Sequence, residues 1–562
     1  MEVWDNMKEV FDKVFKELGY DNDTRIIKSN MDVDYQCDDL FKLAKVYHKA
    51  PMVIGNEVVE AINKLDDFSN YFKEVSFSNP GFINIKVSDY YICNSLRKLM
   101  ERDILGSTKE DETIVIDYGG PNVAKPLHVG HLRTAIIGQA INNILKFKGN
   151  KVIADVHLGD IGTQMGQVIY GILRDYPDKD INDINITMDY LNKIYPEMSA
   201  LCKEDEEVKK KCLEITKKLQ EGDSTYKTLW KKIYDVSVPD IKRIYDYLDV
   251  KFDLWYGESD SHREFKEMIP YLEKQDILKE DDGARVIFVN EDDDKITVPP
   301  CIIQKSDGAY LYATSDLGTI WQRKRDFNPD RIIYITDARQ KLHFTQVFRA
   351  AKKGHIYDGS LEHYGYGTVN GPDNKPFKTR DGGTLKLEEL IKMVKEEFIG
   401  MREDNKNMDR DDLDKIVNAI IKFADLQNDL EHSYIFDTKK FSEVNGKTGP
   451  YILYTYLRIN KIINENNSEL SDSIYSETDR ALRLKLLEVS EVIDTSAKER
   501  KPHHIATYLY DLAVLANNFY QNNRLSGLDG VQKNDFEIVL GLNNYIIKTL
   551  LGLLGIKIPK VM

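Results

Sequence analysis

Two histidines, His128 and His131, lie three residues apart where a strand pattern gives way to a helix pattern. The β-branched run at 113–116 precedes them and predicts a buried parallel strand. Apolar residues at helical spacing follow them and predict an amphipathic helix. The first turn of such a helix offers free N–H groups and a positive dipole end, which favours a phosphate. Gly130 between the histidines leaves room for a flat ring close to the backbone. Taken alone, this pair is better explained as a helix-start histidine beside a tight turn.

Strand-like and helix-like runs alternate from residue 106 to about 400, which predicts an α/β domain with a parallel sheet. A charged helical segment at about 175–280 is interpreted as an insertion into this domain. The candidate strands are 113–118, 151–156, 286–289, 296–303 and 331–336.

The flanking regions predict further domains, because 562 residues exceed what a single core accommodates. Residues 1–105 mix helices with short strands, which predicts an α+β domain. Residues 401–440 are interpreted as a linking helical stem, and residues 441–562 as an all-α bundle. The predicted fold is therefore a multidomain α/β protein.

Composition excludes several classes of protein. No run of about 18 apolar residues is present, so we expect no transmembrane helix and no membrane partner. The five cysteines include no CxxC pair, so we expect neither a structural zinc site nor a set of disulfides. Cysteines of this kind fit a protein of the reducing cytoplasm. A net charge of −15 argues against indiscriminate nucleic-acid binding but is compatible with a local basic face for one RNA. We expect a monomer.

The string PNVAKPLHVGHLR at 121–133 resembles the HIGH motif of class I aminoacyl-tRNA synthetases, in the form found in arginyl-tRNA synthetases. The next block, HLGDIGTQ at 157–164, is similar to a second motif of that family, with Ile161 in place of its usual tryptophan. Further similar blocks follow in the family's order: YATSD at 312–316, DARQKLH at 337–343, FKTR at 377–380, TGPY at 448–451 and LLGLLG at 550–555.

The resemblance implies a Rossmann-like catalytic core, an N-terminal domain that binds tRNA and a C-terminal anticodon-binding bundle of the DALR type. It also implies the reaction. L-Arginine attacks the α-phosphate of ATP to give arginyl-adenylate, and the terminal ribose 2′-hydroxyl of tRNA(Arg) then takes the arginyl group. Mg²⁺ would accompany ATP, and no dedicated protein site for a metal is expected. In this family, activation also requires tRNA.

Several residues match the family's nucleotide site. His128 and His131 would donate hydrogen bonds to the phosphates, and Gly130 would lie under the adenine. The family's mobile KMSKS loop is matched by the segment with Lys378 and Arg380, but Thr379 stands in place of its second lysine. In the family, a lysine just upstream of HIGH compensates, and Lys125 occupies that position. Contacts to ATP are also implied for His343 and Phe377. Taken alone, the loop would be interpreted as a solvated hairpin.

Recognition of arginine requires acceptors, because its guanidinium carries five donors and pairs best with a carboxylate. Asp316 is the best candidate, and Tyr312 four residues earlier would share its helix face. The resemblance assigns the same two residues to arginine and adds Asp117, Asn122 and Gln340. The alternatives are a packing role for Tyr312 and a helix N-cap for Asp316. For Asp337 with Arg339 we favour a structural ion pair, and for His157 a structural role.

The C-terminal region is rich in aromatic residues, which commonly stack on unpaired RNA bases. Most of its tyrosines lie at helical spacing and are interpreted as core. Candidate RNA contacts are Tyr454, Arg458 and Met562, the last because chains of the family often end in methionine. Three hypotheses follow: an arginine–tRNA ligase, an inactive relative that binds RNA or senses arginine, and another HxGH nucleotidyltransferase. The presence of the histidines and loop cations favours the first.

Overall fold

The protein was analysed as a computed structural model that describes residues 5–29, 32–306, 308–375, 377, 385–464, 468–525, 527–528 and 530–562. The helices of the first half are α1 (Asp5–Glu17), α2 (Leu40–Tyr47), α3 (Pro51–Asn63), α4 (Phe68–Tyr71), α5 (Asp89–Met100), α6 (Val129–Phe147), α7 (Thr163–Asp175), α8 (Met188–Glu204), α9 (Glu206–Glu221), α10 (Ser224–Tyr247), α11 (Glu258–Ser261) and α12 (Phe265–Lys274). Those of the second half are α13 (Tyr312–Phe327), α14 (Lys341–Lys353), α15 (Leu387–Met401), α16 (Arg410–Leu426), α17 (Thr438–Ser442), α18 (Gly449–Asn460), α19 (Glu477–Leu486), α20 (Val489–Glu499), α21 (His503–Asn522) and α22 (Gly530–Leu553).

The strands of the described residues form four small sheets. They are β1 (Ile26–Lys28), β2 (Tyr35–Cys37), β3 (Phe72–Ser78), β4 (Phe82–Val87), β5 (Thr113–Asp117), β6 (Lys151–Asp155), β7 (Lys279–Asp281), β8 (Ala284–Ile287), β9 (Cys301–Gln304), β10 (Arg331–Asp337), β11 (Ser360–Tyr366), β12 (Val369–Asn370) and β13 (Tyr434–Ile435). Near the N-terminus, β1-β2-β4-β3 is antiparallel and packs mainly on α3 and α4.

The central sheet has the order β11-β10-β5-β6, and all of its strands are parallel. Ile114, Val115 and Ile116 of β5 are fully buried, as their β-branched run predicts for a strand covered on both faces. β6 lies on one side of β5 and β10 on the other, so the strand order reverses between β5 and β10. Ligands of open α/β sheets bind in the crevice at such a reversal, outside the carboxyl ends of the strands.

The prediction that 286–289 and 296–303 belong to this sheet is wrong. β8 and β9 pair antiparallel with each other, and β7 completes a separate three-stranded sheet. Parallel neighbours need a crossover, usually helical, and the segment between β8 and β9 contains no helix. β9 begins only at Cys301, because Pro299 and Pro300 have no N–H group for a ladder.

Helix α6 connects the central sheet to the rest of the molecule. Its Arg133 is fully buried and forms an ion pair of 3.0 Å with Asp425 of α16. At the other end of α6, the Asn143 amide donates to the carbonyls of Gly552 and Leu553 at 3.2 and 3.3 Å. Lys422 of α16 also donates to the Gly555 carbonyl. The end of α22 is therefore docked on the helix that begins with the HVGH sequence.

The C-terminal bundle consists of α18 to α22. Its last helix, α22, is the one described helix long and apolar enough by length and composition to cross a membrane. Two thirds of that apolar stretch is buried inside the protein, because α22 packs against α18, α21 and α6. This burial is typical of a central bundle helix.

Candidate active site at the carboxyl ends of β5 and β10

A cleft of about 610 Å³ opens where the strand order reverses. Its volume lies within the usual range for small-molecule sites. It brings together most of the predicted site residues, which come from separate parts of the chain. Those lining it are Asp117, Asn122, His128, Gly130, His131, Tyr312, Asp316, Gln340 and His343.

The two histidines cap the start of α6. His128 Nδ1 accepts from the Gly130 N–H at 3.0 Å, and His131 Nδ1 accepts from the His128 N–H at 3.1 Å. Their rings stack with centroids 3.8 Å apart. A Cβ on Gly130 would lie 2.8 Å from the His128 ring, so a side chain there would displace that ring. The glycine is therefore required by the cap itself, as well as by any ring that lies on the backbone.

In their neutral form, both histidines can donate a hydrogen bond from Nε2. Because each Nδ1 accepts a backbone N–H, the proton of each neutral ring lies on Nε2. Burial and the charge of Lys125 lower the pKa of His128. Burial, with smaller effects of His128 and Lys125, holds the pKa of His131 well below its ordinary value. Two neutral donors and the positive dipole end of a helix therefore lie together at the cleft.

Asn122 is placed by the second predicted motif. Its Oδ1 accepts from Gln164 Nε2 at 3.0 Å, and residue 122 forms a parallel bridge to Gly159. A Cβ on Gly159 would lie 2.3 Å from Asn122 Oδ1, so the glycine permits this close approach. The HLGDIGTQ block thus holds one wall of the cleft, although most of its side chains do not face it.

A buried ion-pair triad lies behind the cleft. Arg323 Nη2 donates to Asp117 Oδ2 at 2.5 Å and to Asp155 Oδ2 at 2.6 Å. Burial raises the pKa of Asp117, against the opposing charge of Arg323. Ligand atoms of Asp117, Asp155 and His157 lie within 4.8 Å of one another, a spacing that a metal ion could use. The donor set does not fit Mg²⁺, because the guanidinium already compensates both carboxylates.

Tyr312 and Asp316 lie one helical turn apart at the start of α13 and both face the cleft. Tyr312 is 55% exposed, which disfavours a purely packing role. The N-cap of α13 is Leu311, so Asp316 is not the helix cap. Asp316 Oδ2 is 2.5 Å from His343 Nε2. Burial opposes protonation of His343, but this hydrogen bond and the charge of Asp316 outweigh it and raise the pKa of His343.

Glu258 is a cleft residue that the sequence analysis missed. It begins α11, and its backbone N–H donates to the Leu158 carbonyl at 2.9 Å. Asp160 fixes the same turn by accepting from the Ser259 N–H at 2.9 Å and its hydroxyl at 2.6 Å. Burial, with a smaller effect of Asp316, raises the pKa of Glu258 to about 7. A second carboxylate therefore lies beside Tyr312 and near Asp316.

Other candidate residues lie at the edge of the cleft or beyond it. Asp337 and Arg339 form the predicted ion pair, with contacts of 2.7 and 2.8 Å. Phe377 packs against Phe436, with ring centroids 6.4 Å apart, and does not line the cleft. Lys378 and Arg380 lie outside the described residues.

The three candidate RNA contacts differ in exposure. Tyr454 is 41% exposed on α18. Arg458, one turn further along α18, lies with its guanidinium 4.5 Å from the centroid of the Tyr520 ring. Met562 is half-buried against the core. Tyr508 is buried, which confirms the predicted core role for that tyrosine, whereas Tyr451, Tyr456 and Tyr510 are half-buried against the core.

Comparison with known proteins defines the class first. Residues 95–438 match the catalytic domain described as "tRNA synthetases class I (R)", so the fold and the cleft belong to a class I aminoacyl-tRNA synthetase. Residues 5–87 match the arginyl-tRNA synthetase N-terminal domain, and residues 452–562 match the DALR anticodon-binding domain. The chain is 40% identical to an arginine–tRNA ligase of Alkaliphilus oremlandii, over 98% of both chains. It is 38% identical to one of Francisella tularensis, over the full length of both. The chain therefore belongs to the arginyl-tRNA synthetase family.

Solved structures agree with this fold. The arginyl-tRNA synthetase of Plasmodium falciparum superimposes with a TM-score of 0.81 at 26% identity, over all of both chains. That of Thermus thermophilus superimposes with a TM-score of 0.79 at 21% identity, over 99% of both, which supports the fold alone.

Proposed function

We propose that this protein ligates L-arginine to tRNA(Arg) with ATP, through arginyl-adenylate and transfer to the terminal ribose 2′-hydroxyl. The observation that carries the proposal is the polarity of the cleft. Neutral donors and a helix start occupy one side, and the carboxylates of Asp316 and Glu258 occupy the other. A phosphate fits the first side and a guanidinium fits the second.

In the first step, a carboxylate oxygen of arginine forms a bond to the α-phosphorus of ATP, and the bond to diphosphate breaks. The protein's task in such a displacement is to position the reactants and stabilise negative charge. We assign hydrogen bonding to the phosphates to His128 and His131, and cationic stabilisation to Lys125, Lys378 and Arg380. No general base is needed, since the attacking carboxylate is already ionised.

Gly130 and His343, which line the cleft, are proposed to contact ATP there, and Phe377 is proposed to contact the part of ATP that extends beyond the cleft. Mg²⁺ would enter bound to the phosphates of ATP. The hydrogen bond between His343 and Asp316 also supports a role for His343 at the arginine end. In the second step, the 2′-hydroxyl attacks the arginyl carbonyl, the ester forms and AMP leaves.

For arginine we propose Asp316 and Glu258 as guanidinium acceptors, with Tyr312 beside them. Asp117, Asn122 and Gln340 would hold the other end of the amino acid. Asp117 Oδ2 is taken by Arg323, which leaves Oδ1 as its free acceptor within the described structure. Two acidic groups around one cation also explain why the site would reject a neutral analogue.

We further propose that residues 1–105 and 441–562 contact the tRNA, the latter through Tyr454, Arg458 and Met562. The catalytic region would be residues 106–400, with its insertion at about 175–280 and a stem at 401–440. The protein is also proposed to act as a cytoplasmic monomer without a membrane partner.

The test is a charging assay with ATP, Mg²⁺, tRNA(Arg) and a panel of amino acids that includes lysine, glutamine and citrulline. Citrulline matches arginine in shape but carries no charge. We expect charging with arginine alone. Charging with another amino acid, or equal use of citrulline, would refute the assignment.

Diphosphate exchange with and without tRNA tests whether activation depends on tRNA. Equal exchange rates in both conditions would refute that dependence for this protein. The His131→Ala variant provides the inactive control.

A further inference from the structure

Lys125 has an aromatic partner that the sequence does not suggest. It lies three residues before His128, and its ammonium is 4.3 Å from the centroid of the Tyr195 ring. Among the described residues, no carboxylate lies within 4.0 Å of this ammonium. The half-buried ring of Tyr195 is therefore the contact that restrains the lysine.

Tyr195 belongs to the helical insertion, and not to the domain that carries Lys125. It lies on α8, immediately before Pro196. The proline cannot donate to the Asn192 carbonyl, so the hydrogen-bond ladder of α8 is interrupted at the point where the tyrosine faces the catalytic domain. α8 is itself held against α7, the helix that follows the HLGDIGTQ block.

The Lys125–Tyr195 contact lies close to cleft residues of both the proposed phosphate-binding and the proposed arginine-binding sets. Lys125 is near enough to His128 and His131 for its charge to lower both of their pKa values. On the other side, burial, Glu258 and Tyr195 together raise the pKa of Tyr312. The tyrosine of the insertion is thus a neighbour both of the phosphate-side lysine and of the arginine-side aromatic.

A lysine side chain has several rotatable bonds and loses much of its freedom when its ammonium is held in one place. A ring face attracts an ammonium through its quadrupole without neutralising it, as a carboxylate would. A lysine held in this way keeps its full charge for an incoming phosphate.

We propose that Tyr195 is a positioning residue for Lys125, holding its ammonium beside the HVGH turn to meet the leaving diphosphate. This inference rests on the proposed function. It assigns the helical insertion, through Tyr195, a role in the formation of arginyl-adenylate. Tyr195 touches no reacting atom and acts only through the lysine.

The test is arginine-dependent ATP–diphosphate exchange, measured with saturating tRNA(Arg), by Tyr195→Phe and Tyr195→Leu, each made with Lys125 intact and with Lys125→Met. With Lys125 intact, we expect Tyr195→Leu to lower kcat about three- to fivefold, which corresponds to the lower part of the energy range of cation–π contacts. The KM for arginine stays within about twofold, and Tyr195→Phe retains the kcat of the unsubstituted protein. In the Lys125→Met background, Tyr195→Leu has no further effect, because residues that act through one contact are not additive.

A ring-fluorinated phenylalanine at position 195 keeps the shape of the ring and weakens its negative face. It should lower kcat as leucine does, and it remains informative if the leucine variant fails to fold. Tyr190→Leu is the matched control, since Tyr190 is a half-buried tyrosine on α8 that instead bonds to Asp175 at 3.0 Å.

Additive effects of the Tyr195 and Lys125 substitutions, or full activity of the fluorinated variant, would overturn the positioning role. So would an equal loss of kcat in Tyr190→Leu. Absence of exchange in the unsubstituted protein would refute the proposed function itself, so the two failures are distinguishable.

Discussion

Replacing Asp316 with asparagine keeps the size of the side chain and removes one of the two charges proposed to bind the guanidinium of arginine. A hydrogen bond to a charged group contributes about 1.5–3 kcal/mol, which corresponds to roughly 10- to 150-fold in affinity. Glu258 remains to compensate the cation. The partner His343 becomes neutral when it loses the carboxylate, because burial then dominates its pKa. We therefore expect an increase of about 10- to 30-fold in the KM for arginine.

The assay is diphosphate exchange at saturating ATP and tRNA with arginine varied. Asp326→Asn is the matched control, because Asp326 lies on the same helix and pairs with Arg325 at 2.8 Å, away from the cleft. Circular dichroism establishes that each variant is folded. A KM for arginine within twofold of the unsubstituted value would refute the assignment of the carboxylate, as would a loss confined to kcat.

Three further predictions follow from the buried polar groups. His131→Ala should lower the kcat of exchange while tRNA affinity, measured by filter binding, stays nearly unchanged; a parallel loss of tRNA affinity would contradict its role at the phosphates. Arg133→Met leaves the charge of Asp425 buried and unpaired, at a cost of about 3–5 kcal/mol, and should lower the thermal midpoint. Addition of Asp425→Leu should recover part of that loss, and a further fall would be inconsistent with the ion pair. The raised pKa of His343 means that its ion pair with Asp316 is complete below the ordinary value of about 6.5 and is lost as pH rises through the raised value. Arginine competes for the same carboxylate, so its KM should fall across that window. Glu258, whose pKa is about 7, ionises in the same range, so the test is made in the Glu258→Gln background, where an unchanged pH profile on addition of His343→Gln would argue against this competition.

Local patterns in the sequence were sufficient to predict the start of α6 and the face of α13. In both cases the residues involved are three or four positions apart, so helical geometry alone places them together. The glycine between His128 and His131 was also predicted to matter, although the structure adds a second reason in the cap of the helix.

Glu258 could not be predicted in the same way. It reaches the cleft because the backbone beyond β6 pairs with the segment around Gly257, and such pairing between distant segments leaves no periodic pattern. The contact of Tyr195 with Lys125 could not be predicted for the same reason, since it depends on how the helical insertion packs against the catalytic domain. The wrong assignment of β8 and β9 reflects a related limit. A short apolar run predicts a strand but does not specify which sheet it joins.

The docking of the end of α22 on α6 limits which parts of this protein can be separated from one another without disturbing the HVGH turn. α6 is about 28 Å long, with the HVGH turn at one end and Asn143 near the other. The residues that satisfy Asn143 and Lys422 come from the far end of the chain, at 552–555. The proposed nucleotide site therefore depends on the C-terminal bundle and is not an independent module. An excised segment of residues 106–400 would expose the face of α6 that the bundle covers. Substitutions in the C-terminal bundle that shift α6 would also shift the HVGH turn at the start of that helix.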